Sequence, residues 1–365
     1  MRIIHTSDLH LKNVNDERWA ALETVLDVSS IQKVDCLVIC GDLFDDKYSA
    51  ETIRVQLRKV FESVPFDIVI IPGNHDYESI NADYDWGNKT HILNTYLTPL
   101  HVGNCFFWCL PYEKADEITI YKKLAKYSEF ISNGYRNYTN ILLFHGQLTD
   151  TYYSHCDTGA EIDAYMPARR EFFQNLGFTY ILAGHFHTRY NEYKIDDETV
   201  FIYSGSPVSI KTSETGRRKM NLIDINNDGL KPSLNKCLPV ELNTFYYEIL
   251  QIQLSPDISN PFDYIKNCLV SKSREWGDHC KILLTIGGFI DSNKLAYGEK
   301  ILKDKIDQLN NMFNFELTDY VIRDISVVTN DYLYKEFEKK LSCCEECVRQ
   351  EIRALVIDAL LQVDK

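Results

Sequence analysis

Cys36-Leu37-Val38-Ile39-Cys40-Gly41-Asp42-Leu43-Phe44-Asp45 decides how this chain is read. A short apolar run bounded by polar residues has the pattern of a buried strand. Gly41 permits a turn and a close approach, and a carboxylate, Asp42, follows at once. An open α/β sheet places its chemistry at such a strand mouth. The same device recurs along the chain. Arg2–Ser7 runs into Asp8-Leu9-His10, and Asp67–Pro72 into Gly73-Asn74-His75-Asp76. Ile141–Phe144 runs into His145-Gly146, and Tyr180–Ala183 into Gly184-His185-Phe186-His187. Every one of these strand ends carries Asp, Asn or His, so the edge they form reads as a metal site centred on Asp42.

The segments between them are helical. Trp19, Leu22, Val25 and Leu26 recur at helical spacing within residues 16–34. Ile53, Leu57, Val60 and Phe61 do the same in a helix that Ser49 can cap. This alternation of strand and helix predicts a layered α/β domain over residues 1–235. Within it, 77–91 reads as a polar surface loop, Phe106–Leu110 as a strand and 113–135 as a helix. Residues 146–166 read as a long functional loop with Tyr152, Tyr153 and His155. Pro167 suits the first position of a helix ending near Gly177, and Met220–Ile225 reads as the last strand of the domain. Asn226-Asn227-Asp228-Gly229 is a turn, after which residues 240–330 have the pattern of a small α+β domain. Residues 331–365 are charged, with Leu341, Cys344, Val348, Ile352, Leu355 and Leu360 at roughly helical spacing, beside Val356 and Ala359.

Composition narrows the class. The chain has 365 residues, 45% of them hydrophobic and 25% charged, as in an ordinary globular protein of two or more domains. No apolar run reaches the roughly 18–20 residues of a membrane span. The N-terminus enters directly into the strand bearing Asp8 and His10, which a cleaved leader would remove, so a cytoplasmic location is expected. The 11 cysteines are scattered, many in apolar runs, and read as reduced structural thiols. Cys343, Cys344 and Cys347 have no second pair or histidine nearby and do not make a zinc site. A net charge of −14 argues against a broad basic face for nucleic acid. It leaves room for nucleic-acid chemistry in which metal ions and a partner protein supply positive charge.

Asp8, His10, Asp42, Asn74, His145, His185 and His187 offer carboxylate, imidazole and amide donors and no thiolate. That mixture suits Mn²⁺, Fe²⁺ or Zn²⁺. These donors are too many for one open catalytic ion and suit two ions sharing a carboxylate, for which Asp42 is the natural bridge. Two divalent cations against two carboxylates leave a site of about +2, matched to phosphoester hydrolysis by an activated water.

Asp8-x-His10, Gly41-Asp42, Gly73-Asn74-His75-Asp76, His145 and Gly184-His185-x-His187, in this order, resemble the calcineurin-like metallophosphoesterase superfamily. The opening Ile4-His5-Thr6-Ser7-Asp8-Leu9-His10-Leu11, the Asp42-Leu43-Phe44-Asp45 form, and Gly205-Ser206-Pro207 followed by Glu214-x-Gly216 narrow the likeness to the SbcD-type nuclease subunits of SbcC–SbcD DNA repair complexes. The resemblance covers about residues 1–225. It implies a layered β-sandwich flanked by helices, followed by an α+β capping domain for DNA ends and C-terminal helices that dock on the partner. It implies two divalent ions, Mn²⁺ first among them, one held by Asp8, His10, Asp42 and His187, the other by Asp42, Asn74, His145 and His185. His75 is then a catalytic residue at the leaving oxygen, and Asp76 a residue that fixes its tautomer. The implied activity is double-strand 3′–5′ exonuclease and single-strand or hairpin endonuclease cleavage. The implied partners are DNA and an SbcC-like coiled-coil ATPase, with a homodimer inside a heterotetramer. Some relatives carry a further active-site histidine three residues after the bridging aspartate, where this chain has Asp45. A phosphoesterase for a small-molecule or protein substrate, and a non-catalytic DNA-end scaffold, are the alternatives. The basic residues Lys211, Arg217, Arg218 and Lys219 are readable either as DNA contacts or as a solvated turn, and Arg169 and Arg170 as helix-surface residues.

Overall fold

The computed structural model describes residues 1–151, 165–188, 190–225, 237–295, 297–326, 328–330, 332–341, 352, 353, 355–357 and 359. Tyr152, Tyr153, His155, the 226–229 turn, Cys343, Cys344, Cys347, Val348 and Leu360 lie outside the described residues. The chain divides into two compact units, Met1–Tyr246 and Tyr247–Lys365.

The first unit is built on β1 (Arg2–Thr6), α1 (Glu17–Ile31), β2 (Cys36–Cys40), α2 (Lys47–Glu62), β3 (Asp67–Ile71), β4 (Thr90–Ile92), β5 (Leu100–Val102), β6 (Cys105–Leu110), α3 (Glu117–Ser132), β7 (Thr139–His145), β8 (Tyr180–Gly184), β9 (Asn191–Lys194), β10 (Val200–Tyr203), β11 (Lys219–Asp224) and β12 (Cys237–Glu241). One six-stranded sheet has the order β12-β11-β1-β2-β3-β4, the other β5-β6-β7-β8-β10-β9. In the first, β1 to β4 run parallel, and in the second β6, β7, β8 and β10 do. Strand alternation sorts the side chains into layers. Val38 and Cys40 of β2 meet Val69, Ile141 and Leu182 in the core between the sheets. Leu37 and Ile39 point the other way, onto Leu22 and Val25 of α1 and Ile53, Leu57 and Phe61 of α2. The second sheet buries Leu142 and Phe144 beneath Ile120, Leu124 and Tyr127 of α3. The fold is the layered, helix-flanked α/β sandwich that the strand pattern predicts, and the parallel strands of both sheets end at the edge that carries the candidate donors.

Several local expectations are corrected. The cap of α2 is Asp46, whose carboxylate accepts the Ser49 N–H, and not Ser49. No helix starts at Pro167: Ala168 bridges to Leu148, and only a turn of 3₁₀-helix, Arg170–Phe173, follows. The strand at Met220 is not the last, because β12 pairs with it antiparallel.

The second unit holds a three-stranded sheet of β13 (Tyr246–Leu254), β14 (Cys280–Ile290) and β15 (Phe315–Asp324). Around it are α4 (Pro261–Trp276), α5 (Ser292–Leu295), α6 (Glu299–Asp307) and α7 (Tyr332–Leu341). Ile265 and Leu269 of α4 and Leu302 and Ile306 of α6 are buried. Tyr334 of α7 packs with Ile357, Ile325 and Val328. Arg353, also buried, pairs with Glu338 and Asp257. Part of the predicted C-terminal apolar stripe therefore covers its own unit, Leu341 included, while Leu355 is 70% exposed and Tyr332 and Leu333 of α7 are also exposed. Among the described residues no helix is long and apolar enough to cross a membrane.

Candidate metal centre

The loops after β1 and β2 lie side by side and are tied by backbone bonds. Asp8 N donates to Gly41 O at 3.0 Å, His10 N to Asp42 O at 2.9 Å and Leu11 N to Leu43 O at 2.8 Å. This pairing holds Asp8, His10 and Asp42 in the left-handed region, at φ of 55°, 46° and 51°, and His185 sits at 114°. Non-glycine residues adopt such conformations at a cost of about 1–3 kcal/mol each, a strain that collects at functional sites. Two motif glycines have steric reasons. Gly41 lies at φ +86°, and a Cβ there would be 2.0 Å from His145 Nδ1. A Cβ on Gly73 would be 2.1 Å from Asp42 Oδ1.

Asp8, His10, Asp42 and His187 converge, each offering a ligand atom within 4.8 Å of the others. The Nε2 atoms of His10 and His187 face each other at 3.2 Å, and His187 Nε2 lies 3.6 Å from Asp8 Oδ1. The remaining expected donors lie next to this group. His145 Nε2 is 3.0 Å from Asn74 Oδ1, and the His185 ring stands edge-on to that of His145 at 5.6 Å. Asp42 Oδ2 touches both sets, 3.6 Å from His10 Nε2 and 3.4 Å from His145 Nε2. All seven donors are thus on one edge, with one carboxylate between two clusters. The donor types fit borderline divalent cations, and the convergence of like imidazole nitrogens and carboxylates in buried space fits a cation between them.

A second layer orients the imidazoles, as outer partners of metal ligands do. His187 Nδ1 donates to Glu214 Oε1 at 3.0 Å and His145 Nδ1 to the Cys40 carbonyl at 2.8 Å. His10 Nδ1 faces Asp45 Oδ1 at 3.6 Å, and Arg18 holds that same carboxylate at 2.8 Å. For His187 and His145 Nδ1 carries the proton, which leaves Nε2 for the centre, and the Asp45 carboxylate favours the same tautomer of His10. Glu214 accepts a second bond from Ile210 N at 2.6 Å. Arg218, which the sequence offers as a DNA contact or solvated residue, is neither. It is buried and donates to the carbonyls of Ser206 and His187, locking the 204–218 loop beneath His187. Lys219 lies 3.8 Å from Glu241. Arg169 pairs with Glu117 and Arg170 with Asp150, both at the surface.

His75 stands at the rim of the centre, its ring edge-on to His10 at 4.7 Å. Its backbone N–H donates to Asp42 Oδ1 at 2.9 Å, and its Nδ1 donates to the carbonyl of Asp45 at 2.9 Å. The expected tautomer-fixing role of Asp76 is therefore corrected. The Asp76 carboxylate is fully buried and accepts from Gly73 N at 2.7 Å and Phe44 N at 3.1 Å. It clamps the Gly73–Asp76 turn to the Asp42 loop, and the backbone of Asp45 orients His75 instead.

The electrostatics follow from this packing. Burial opposes the charged forms of both Asp42 and His145, but their mutual attraction outweighs it. Asp42 is held well below the usual carboxylate range and His145 is raised to about 9. Burial, and the neighbouring His145, push His185 down to about 3. Burial, reinforced by Asp42, raises Asp76 to about 7. Without a cation, a proton on His145 balances Asp42, and a metal must displace it.

Residues 1–189 match the profile of the calcineurin-like phosphoesterase family. The chain is also similar to the SbcD component of the SbcCD nuclease of Staphylococcus saprophyticus, 26% identical over 261 residues. That alignment covers 62% of this chain and 66% of the relative, just under two thirds of the relative's length. Among solved structures it resembles a dimetal phosphatase from Danio rerio, with 10% identity, 66% of this chain and 98% of the other covered, and a TM-score of 0.42. It also resembles the phosphoesterase Yfce from E. coli, with 16% identity over 62% of this chain and 90% of the other, at a TM-score of 0.30.

Proposed function

The chain belongs to the calcineurin-like phosphoesterase family, and on that premise we propose that it is a nuclease subunit of the SbcD type, hydrolysing phosphodiester bonds in DNA. The observation that carries the reading is Asp42 Oδ2, which lies within 3.6 Å of an imidazole from each of two donor clusters. Asp8, His10, Asp42 and His187 would hold one divalent ion, and Asp42, Asn74, His145 and His185 the other. Two such ions, Mn²⁺ in this proposal, supply Lewis acidity and a water of lowered pKa. The rest of the work falls to the chain. Glu214 and the Cys40 carbonyl keep His187 and His145 in the tautomer that presents Nε2, and the Asp45 carboxylate, 3.6 Å from His10 Nδ1, favours it in His10. His75, held on the Asp45 carbonyl through Nδ1, can carry a proton at Nε2 for the departing oxygen, the role of a general acid. Buried backbone clamps from Asp76 keep the loop that bears His75 and Asn74 in register.

Residues after 246 form a unit that a phosphoesterase centre alone does not need, which supports a macromolecular substrate over a small one. We assign residues 240–330 to capping DNA ends and 331–365 to docking an SbcC-like ATPase, through the exposed Tyr332, Leu333 and Leu355. Like the SbcD-type nucleases it resembles, the chain would work as a homodimer within a heterotetramer, in the cytoplasm, in double-strand 3′–5′ exonuclease and hairpin endonuclease reactions. The test is digestion of end-labelled duplex and hairpin DNA with Mn²⁺, with and without the ATPase. Shortened, labelled products that vanish with EDTA are expected. Hydrolysis of bis(4-nitrophenyl) phosphate with no cleavage of any DNA would overturn the nuclease reading and leave a phosphoesterase of other specificity.

A further inference from the structure

Three tyrosines lead away from the metal centre in single steps. Tyr165 lies with its ring centroid 5.4 Å from that of His185, Tyr112 is 6.5 Å beyond it, and Tyr77 is 5.1 Å beyond Tyr112. Each is positioned by the strand-end loops that build the centre. Tyr77 follows His75 by two residues, Tyr112 follows the end of β6 at Leu110, and the Tyr165 carbonyl accepts Gln147 N at 2.9 Å just past His145. None is fully buried, although Tyr112 also packs against the edge of the cluster beneath α3. Tyr112 and Tyr165 are half-buried, and Tyr77 exposes 42% of its surface. Tyr127, by contrast, is fully buried with its hydroxyl on the Cys109 carbonyl, as a packing tyrosine is.

The geometry points to a base-stacking track: Tyr165, Tyr112 and Tyr77 seat successive unpaired bases of a single strand whose backbone passes the metal centre. Two arguments support it. A chain of net charge −14 repels a polyanion overall, and stacking supplies affinity that does not depend on cationic contacts. The tilt of successive rings also selects the substrate. Stacked bases in a duplex strand lie parallel and rise about 3.4 Å per step, whereas these rings are tilted by 36–47° to one another with centroids 5.1–6.5 Å apart, so bases laid on their faces cannot keep that stack. Only a strand whose bases are already unstacked can use them without loss. The track therefore favours frayed ends, loops and single strands over intact duplex. This inference rests on the nuclease reading of the same centre.

The test uses the full chain in EDTA, which prevents cleavage, with fluorescein-labelled dT20 followed by anisotropy. Tyr77→Ala and Tyr112→Ala should each raise Kd roughly fivefold to a hundredfold, the range found when stacking aromatics are truncated. Tyr77→Phe and Tyr112→Phe should bind like the wild type, because the ring is kept. Tyr112→Leu retains apolar volume without a ring and serves if the alanine variant loosens the fold. A strand carrying 2-aminopurine should be quenched by the wild type and less so by the alanine variants. Binding of dT20 unchanged in the alanine and leucine variants overturns the track while leaving the nuclease reading intact. Equal loss in the phenylalanine variants also overturns it, since a hydroxyl contact would then be responsible. A wild type that neither binds nor cuts dT20 overturns the nuclease reading and the track together.

Discussion

Glu214→Gln is the sharpest probe of how the centre is held. Glu214 is buried and spans two jobs, accepting His187 Nδ1–H at 3.0 Å through Oε1 and Ile210 N–H at 2.6 Å through Oε2. Glutamine keeps the size but has one acceptor oxygen. If that oxygen stays on Ile210, the new NH₂ confronts His187 Nδ1, and the imidazole must move its proton to Nε2. Nε2 is the atom 3.2 Å from His10 Nε2, so a proton there blocks the donor that the centre needs. If the amide flips, Ile210 N–H loses its partner instead, at a cost of about 1–3 kcal/mol for a buried donor. In the first case affinity at the Asp8–His10–Asp42–His187 cluster should fall about 10- to 100-fold, the usual effect of removing an outer partner, and in the second the loss should appear as a lower melting temperature. Titration calorimetry with Mn²⁺ and metal content by elemental analysis read this directly. One weakened site and one intact site are expected, with phosphodiester turnover recovered in part at high Mn²⁺. Two sites of wild-type affinity in a variant that also melts like the wild type would refute the tautomer argument.

Asp42→Asn removes the carboxylate shared by both clusters, so metal content should fall from about two ions per chain and hydrolysis should be lost. His75→Ala should keep both ions and cut turnover by roughly 10² or more, separating it from the ligands in a combined metal and rate assay. Gly73→Ala places a Cβ 2.1 Å from Asp42 Oδ1 and should displace that carboxylate, which metal content will report as the loss of both ions. For the metal-free chain, stability should fall as pH rises above about 6.5, past the range in which the buried His5 and His185, both pushed down to about 3 by burial, act in the opposite sense. Asp76 is raised to about 7 from 3.8 and His145 to about 9 from 6.5, so both favour the fold most when protonated, and that contribution fades through pH 7 and then 9. Melting of the EDTA-treated protein across roughly pH 6.5–10 tests this, and Mn²⁺ should flatten the upper limb. Deleting residues 331–365 uncovers Ile325 and Val328 and should lower the melting temperature, whereas Leu333→Asp with Leu355→Asp should leave it unchanged and abolish ATPase binding.

The sequence was most legible where burial is two-sided. Cys36–Cys40 and Ile68–Ile71 are covered on both faces, so they read as unbroken apolar runs, and the residue after each run falls at a sheet edge. Thr90–Ile92, Leu100–Val102 and Asn191–Lys194 are short, half-exposed edge strands, defined by their neighbours and not by their own pattern. The metal donors were legible for a similar reason, since strand ends are local facts. Their supports were not. Glu214 reaches His187 across 27 positions, and Arg218 sits among basic residues that look solvated until folding buries it against four backbone carbonyls. The Asp76 error has the same origin. Adjacency in the chain suggested a partner for His75, while the turn points the two side chains apart, Asp76 inward to Gly73 and Phe44 and His75 outward over Asp45.

The strain at the centre explains why its two loops behave as one. Asp8, His10, Asp42 and His185 in left-handed or related conformations together cost several kcal/mol (about 1–3 each). The cost is offset by bonds between loops. Asp8 N binds Gly41 O, His10 N binds Asp42 O, Ser206 Oγ binds Asp8 O at 2.8 Å, and His185 N binds the Asp8 carboxylate at 3.0 Å. None of these bonds involves a cation. The donors are therefore held apart and aimed before any ion arrives, and much of the ordering entropy that a metal would otherwise have to meet is supplied by the fold. The same logic places the sensitivity of the site in its backbone. A substitution that breaks one of the backbone bonds between the Asp8 and Asp42 loops releases strain in both, so it should disturb both metal clusters together through the shared Asp42, even when it touches a residue that ligates neither.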